Sequence, residues 1–424
     1  MINVDSSVHD PLLTARQAAR LLDVKLATLY AYASRGFVRS VPSGKGKARL
    51  YPRSEVLRLR ARHDARAGHG PVAAGALRWG EPVLDTAITA VGPRGPAYRG
   101  HLAVDLASAG ATFEEVAELL FTGSLGAGGA WVADRAALRA LGRLPVAGAH
   151  AFDALALLVP VAARLDPDRL ARSTGAEHAR ARRLVATMVG ALALAGGRGA
   201  GDGTSIASAL AAALGATASA PAVRLVDRAL VLLADHELNA SSFAARVTAS
   251  TGADLHACVA SALGALSGPR HGGETDRVAA VLAEARRPRA IVEVVRGRVE
   301  RGEEVPGFGH PLYPEGDPRT PPLLEAARRH APSRVAPILA LVDAVAALRG
   351  LAPTVDVGLV AVALALGLPP RAAAALFAIG RAAGWVAHAL EQREAGFLLR
   401  PRARYVGAQP LRGDERATAA GAKP

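Results

Sequence analysis

From Leu77 onward the chain is a near-continuous succession of Ala/Leu/Val/Arg helical periods with few strand-like runs and no solenoid-length repeat. Aromatic residues make up only 4% of the 424, so the core must be closed by small and branched side chains, which favours closely packed helices. The expected fold class is mostly α. Val72, Val83 and Ile88 mark a short extended piece near the start of this body. Half of the residues are hydrophobic and 21% are charged, which excludes a disordered tail and suits two or three domains.

The first 70 residues have a different texture. They carry 13 Lys and Arg against 5 Asp and Glu within a chain of net charge +14, a local excess that attracts polyanions. Thr14-Ala-Arg-Gln17 has the form of a capping box and opens a helix with Ala15, Ala18, Ala19 and Leu22 on one face. After the break at Asp23-Val24 a second helix is expected over Leu26–Ser34, with Leu29 and Tyr30 in its core and Gly36 closing it. Phe37–Val41 and Ala48–Tyr51 then flank Pro42-Ser-Gly-Lys-Gly-Lys47 as a hairpin with a basic tip, and an arginine-rich third helix follows over Ser54–Arg66.

Residues 11–66 thus resemble the winged helix-turn-helix modules of excisionase and MerR-type regulators. The resemblance implies that the second helix enters the major groove of DNA. Lys25, Thr28, Tyr32 and Arg35 would be its exposed readers, and Lys45 and Lys47 the phosphate contacts. A helical docking domain of the same shape that binds no DNA is the alternative. The stretch 67–76, rich in Ala and Gly, reads as a linker.

Cys258 is the single cysteine, which rules out a disulfide framework and a cysteine-based zinc site. No secretory leader pattern is present, and the uncharged run Leu184–Gly197 is too short to span a bilayer. A cytoplasmic protein with no membrane partner is expected.

Three polar constellations interrupt the helical body: Asp235-His-Glu-Leu-Asn-Ala-Ser-Ser242, Ser267-Gly-Pro-Arg-His-Gly-Gly273, and Val305 to Arg319 with its Gly-Phe-Gly-His-Pro-Leu-Tyr core. Glycines and prolines beside a histidine cannot continue a helix and let a ligand approach the backbone. No His pair stands at metal spacing on a helix, and no acidic ligand stands at metal spacing near His271 or His310, so no metal is expected. No phosphate-cradling glycine loop or dinucleotide fingerprint appears either, so no cofactor is implied.

With these segments, Leu84-Asp-Thr-Ala-Ile-Thr89, Tyr98-Arg-Gly100, Phe113-Glu-Glu-Val-Ala117, Val355-Asp356, Gly384-Trp-Val-Ala-His388-Ala-Leu-Glu391, Arg400-Pro-Arg402 and Tyr405-Val-Gly407 complete an ordered set. Through it, residues 77–407 resemble citrate synthase. The resemblance implies a nearly all-α fold with a large domain over 77–272 and 377–424 and a small domain over 273–376 that closes on the substrates. It implies a homodimer acting on oxaloacetate and acetyl-CoA. Asp356 would be the base, His271 the donor to the thioester oxygen and His310 the acid at the ketone. His236, Arg319, Arg381 and a second chain's Arg400 would bind oxaloacetate.

Three departures bear on acyl choice. Glu274-Thr-Asp276 replaces the family's usual Ala-Asn-Glu, Pro314-Glu315 stands where bacterial relatives often carry lysine, and Val-Gly-Leu follows Asp356. Propionyl-CoA, giving 2-methylcitrate, therefore stays open. So does a regulator that keeps the body for dimerisation and sensing.

Overall fold

The computed structural model describes residues 12–22, 24–35, 37–42, 49–53, 55–57, 59, 84–126, 129–199, 205–285, 290–369, 371–401 and 407. The expected linker 67–76, the wing tip with Lys45 and Lys47, Gly36, most of the third helix, Arg402 and Tyr405 lie outside them. The chain divides into two compact units, Met1–Asp85 and Thr86–Pro424.

In the first unit β1 (Leu12–Thr14) leads into α1 (Ala15–Leu22) and α2 (Leu26–Ser34), followed by β2 (Val41–Pro42) and β3 (Arg49–Pro52). The capping box forms: Gln17 Oε1 accepts from the Thr14 amide at 2.9 Å, and the Gln17 amide donates to Thr14 Oγ1 at 3.3 Å. The hairpin pairs Val41 with Leu50, and β1 adds an unforeseen antiparallel strand, Leu13 opposite Tyr51. Ala18, Ala19, Leu22, Leu29, Val38, Tyr51 and Val56 form the core of this unit.

The two tyrosines of α2 exchange their expected places. Leu29, Tyr32 and Ala33 share one helical face, at i, i+3 and i+4, and that face packs on the core. Tyr32 is consequently half-buried, edge-on to Phe37 with ring centroids 6.2 Å apart, rather than an exposed reader. Tyr30, expected inside, lies on the outer face and is 53% exposed.

The second unit begins with a three-stranded antiparallel sheet, β4 (Thr89–Gly92), β5 (Gly95–Tyr98) and β6 (His101–Leu102), where a short extended piece was expected. The helices follow: α3 (Ala103–Ala109), α4 (Phe113–Thr122), α5 (Arg135–Leu141), α6 (Ala151–Leu165), α7 (Thr174–Ala195), α8 (Ile206–Leu214), α9 (Ala220–Leu233), α10 (Ala240–Ser250) and α11 (Leu255–Leu266). Then come α12 (Glu274–Glu284), α13 (Ile291–Glu300), α14 (Thr320–His330), α15 (Pro332–Arg349), α16 (Val355–Leu366) and α17 (Ala372–Ala395). The residues expected to form a small domain hold α12 to α16, in which α14 packs on α16 and α13 on α15. Residue 376, its expected end, falls inside α17.

Helix α17 is the axis of the body. Every side chain from Ala372 to Ala389 is buried, against α9, α10, α11, α4 and α16. By length and composition it could cross a membrane, but it is wrapped by protein and carries buried Arg381 and His388, which marks a core helix. Its close approach to the end of α9 depends on Gly384: a Cβ there would stand 2.7 Å from the Ala234 carbonyl oxygen and collide with the Asp235 carboxylate. The Gly384 amide instead donates to Ala234 O at 2.8 Å.

Candidate active site

The turn after α9 is built around a buried carboxylate. Asp235 Oδ2 accepts from the Glu237 amide at 3.1 Å and from His388 Nε2 of α17 at 3.1 Å. Burial pushes the Asp235 carboxyl up, but His388 and Arg381 outweigh it and hold it below the usual carboxylate range. The turn passes through Glu237 at φ +52, and Asn239 then caps α10, its Oδ1 accepting from the amides of Ser241 and Ser242. His236 is thereby directed inward, its Nε2 sharing a hydrogen bond of 2.9 Å with the Tyr313 hydroxyl. Burial, with Arg319 and Arg381 nearby, drives its pKa well below the ordinary value, so it stays neutral.

His271 sits in the turn that enters α12. Its Nε2 lies 2.8 Å from the Ser241 hydroxyl, which also accepts from the Trp385 indole N–H at 3.0 Å. The same hydroxyl lies 2.7 Å from Asn239 Oδ1, so its one proton goes either there or to Nε2; donated to Nε2, it leaves the imidazole proton on Nδ1. Burial, aided by Arg381, lowers the His271 pKa to about 3. It is a neutral hydrogen-bond donor throughout the physiological range.

The third loop brings His310, Tyr313, Asp317 and Arg319 together. The His310 ring lies 5.7 Å from that of His236 and 5.1 Å from that of Tyr313. Burial lowers the His310 pKa against the pull of Asp317. Asp317 and Arg319 form a two-pronged ion pair, Nε to Oδ1 at 2.9 Å and Nη2 to Oδ2 at 2.7 Å. The pair is buried and leaves Arg319 Nη1 buried with no hydrogen-bond partner among the described residues. Arg381, from α17, donates Nε–H to Leu233 O at 2.8 Å and lies 5.0 Å over the Phe377 ring. Burial lowers its pKa to about 10.

Asp356 opens α16. Its Oδ2 accepts from Thr354 Oγ1 at 2.9 Å, while Oδ1 is buried with no hydrogen-bond partner among the described residues. Burial, reinforced by Glu274, raises its pKa to about 6. Such a carboxylate is ionised at neutral pH but is a stronger base than an exposed one.

Six of the seven residues expected at the site therefore interact in one cluster: His236, His271, His310, Arg319, Asp356 and Arg381. Arg400 does not join them; it is exposed beyond the end of α17 and forms no ion pair among the described residues. Asp235, Ser241, Tyr313, Asp317, Thr354 and Trp385 were missed as site residues. Most of them lie inside the same motifs, and a buried polar side chain beside an active histidine is the signal that could have found them. Among the described residues no group of three or more His, Cys, Asp or Glu side chains is arranged to hold a metal.

Residues 76–402 match the family model described as citrate synthase, C-terminal domain. The chain belongs to the citrate synthase family. A helix-turn-helix domain model matches residues 12–64. Citrate synthase of Haloferax volcanii is 42% identical over 193 residues, which are 44% of this chain and 50% of that protein. The chain thus spans about half the length of several citrate synthases it matches. A longer alignment joins it to 2-methylcitrate synthase of Shewanella oneidensis, 31% identical over 358 residues, 78% of this chain and 94% of that one. The citrate synthase of the thermophilic archaeon Thermoplasma acidophilum, solved as a ternary complex with carboxymethyl coenzyme A and oxaloacetate, superposes with a TM-score of 0.69. It is 25% identical and covers 78% of this chain and 95% of that one. All six clustered residues lie inside the segment matched to citrate synthase.

Proposed function

We propose that this chain condenses acetyl-CoA with oxaloacetate and water to give citrate and free CoA. One observation carries the reading: an unpartnered buried guanidinium nitrogen, Arg319 Nη1, and an unpartnered carboxylate oxygen, Asp356 Oδ1, share one buried cluster with neutral His271. In this reading Asp356 Oδ1 takes the proton from the thioester methyl carbon. His271 Nδ1–H stabilises the oxygen of the enolate that forms, because a carboxylate alone is too weak a base for that carbon. The methyl carbon then bonds to the ketone carbon as His310 supplies a proton to the ketone oxygen, and water cleaves the thioester. Arg319, Arg381 and His236 hold the oxaloacetate carboxylates, with Arg400 supplied by the second copy of a homodimer. The segment 273–376 acts as the closing domain, which excludes water from the pairings. Buried, unpaired Cys258 suits a reducing cytoplasm.

Propionyl-CoA is the competing substrate, favoured by the nearly full-length match to 2-methylcitrate synthase of Shewanella oneidensis. Release of CoA thiol from each thioester, with and without oxaloacetate, tests both. Oxaloacetate-dependent release supports a synthase, and the ratio of the two rates names it. No release from either thioester, with oxaloacetate still bound, overturns catalysis in favour of a sensing body.

For the amino-terminal unit the reading is DNA binding. The helix-turn-helix match supports it, as do exposed Lys25 and Arg35 at the two ends of α2 and Thr28 between them. The outer face of α2 between those cations carries Leu26, Ala27, Tyr30 and Ser34, so its charge contacts are with phosphates flanking the helix. A mobility shift over a salt series checks this: phosphate contacts lose affinity steeply as salt rises, and no retarded band leaves a docking domain.

A further inference from the structure

We propose that Glu274 is a positioning residue whose carboxylate ties the turn bearing His271 to the loop bearing His310, which backbone hydrogen bonds join in turn to the segment bearing Asp356. The inference rests on the condensation reading above. Glu274 stands where the family pattern has alanine, three residues after His271, and its own amide donates to the His271 carbonyl at 3.0 Å. Its Oε1 accepts from the Gly307 amide at 2.8 Å, and its Oε2 is held by Arg277 Nη1 at 2.7 Å. The Gly307 carbonyl in turn accepts from the Thr354 amide at 2.8 Å, and Thr354 Oγ1 reaches Asp356. Alongside, the Gly309 amide donates to Ala352 O at 2.9 Å, and Phe308 bridges to Pro353.

Gly307 is the knot of this chain of bonds. Its φ is +84, and a Cβ on it would stand 2.5 Å from Val278 Cγ2 and 2.8 Å from Val357 Cγ2, so α12 and α16 close on it from two sides. Its N–H is partnered by the Glu274 side chain rather than by backbone. An alanine at position 274 leaves the amide buried and unpaired. The carboxylate also acts on Asp356 through space. Glu274 on α12 and Asp317 beside α14 repel the Asp356 charge, while Arg319 and Arg381 attract it.

The test uses the full chain and two variants, Glu274→Gln, which keeps an oxygen for the Gly307 amide, and Glu274→Ala, which does not. Amide exchange over residues 305–312 reads loop position without turnover. About tenfold faster exchange is expected in Glu274→Ala, and near wild-type protection in Glu274→Gln. In thiol release, Glu274→Ala should lose roughly tenfold or more in kcat with the oxaloacetate KM little changed. Glu274→Gln should move the acid limb of the pH profile to lower pH, because a like charge beside Asp356 is gone. Unchanged exchange in Glu274→Ala overturns the proposal, as does faster exchange with kcat and acid limb at wild-type values. Wild-type protein that releases no thiol overturns the condensation reading instead, and the exchange arm still decides whether Glu274 holds the loops.

Discussion

The Ser241 hydroxyl stands 2.8 Å from His271 Nε2 and 2.7 Å from Asn239 Oδ1, so the destination of its single proton couples the His271 tautomer to the Asn239 cap. Replacing Ser241 by alanine leaves the His271 ring in place but frees its tautomer and tilt. Ser241→Ala is expected to lower kcat about 10-fold to 100-fold, the usual scale for a residue that orients a reacting group, with oxaloacetate affinity by calorimetry nearly unchanged. An equal loss in affinity would show a binding role instead.

With Asp356 as the proposed base, its raised pKa, about 6, should set the acid limb of the rate profile. Activity should fall as pH drops through about 6, since the base must be ionised. Asp356→Asn should nearly abolish turnover while oxaloacetate still binds; retained activity would remove Asp356 from the base role.

The same shift has a stability consequence of opposite sense. A carboxyl whose folded pKa lies above its unfolded value favours the fold at low pH and opposes it once pH rises past the folded pKa. Asp356→Asn should therefore raise the melting temperature at pH 7, with a gain on the order of 1–3 kcal/mol that vanishes near pH 4. Calorimetric scans at the two pH values compare the variants. An equal melting point at pH 7 would mean the native carboxylate is not destabilised by burial.

Arg319 uses Nε and Nη2 on Asp317 and leaves Nη1 without a hydrogen-bond partner among the described residues, open in the proposed reading to a substrate carboxylate. Lysine cannot serve three directions from a fork. In Arg319→Lys the KM for oxaloacetate should rise by about 10-fold or more, with a smaller change in kcat. An unchanged KM contradicts the carboxylate contact.

Gly384→Ala would push a methyl group into the Ala234 carbonyl and the Asp235 carboxylate. The expected cost is about 1–3 kcal/mol or more of stability, together with a weakened His388–Asp235 bond. Thermal unfolding and the oxaloacetate affinity should both register it.

Much of this was legible in the sequence because the chemistry sits in loops whose composition forbids helix. Gly-Pro-Arg-His-Gly-Gly and Gly-Phe-Gly-His could be singled out residue by residue. The capping box at Thr14 was readable because its hydrogen bonds span three residues. What local pattern could not give was anything decided between distant segments. The partnership of Asp235 with His388 joins residues 153 apart, and that of Ser241 with Trp385 joins residues 144 apart. The exchange of Tyr30 and Tyr32 has the same origin: either tyrosine fits the helix, and which one faces inward depends on where β3 and Phe37 pack.

Phe377, Arg381, Trp385, His388 and Gln392 follow one another along α17 at steps of three or four residues, a single stripe. Phe377 meets His271, Arg381 and Trp385 reach the site, His388 holds the Asp235 turn and Gln392 receives Arg246. Inserting or deleting one residue within that stretch would turn everything beyond it about 100° away from its partners. The spacing from Phe377 to Gln392 is thus itself part of the site: a one-residue change in length there would cost every contact beyond it, whereas a substitution would cost only its own.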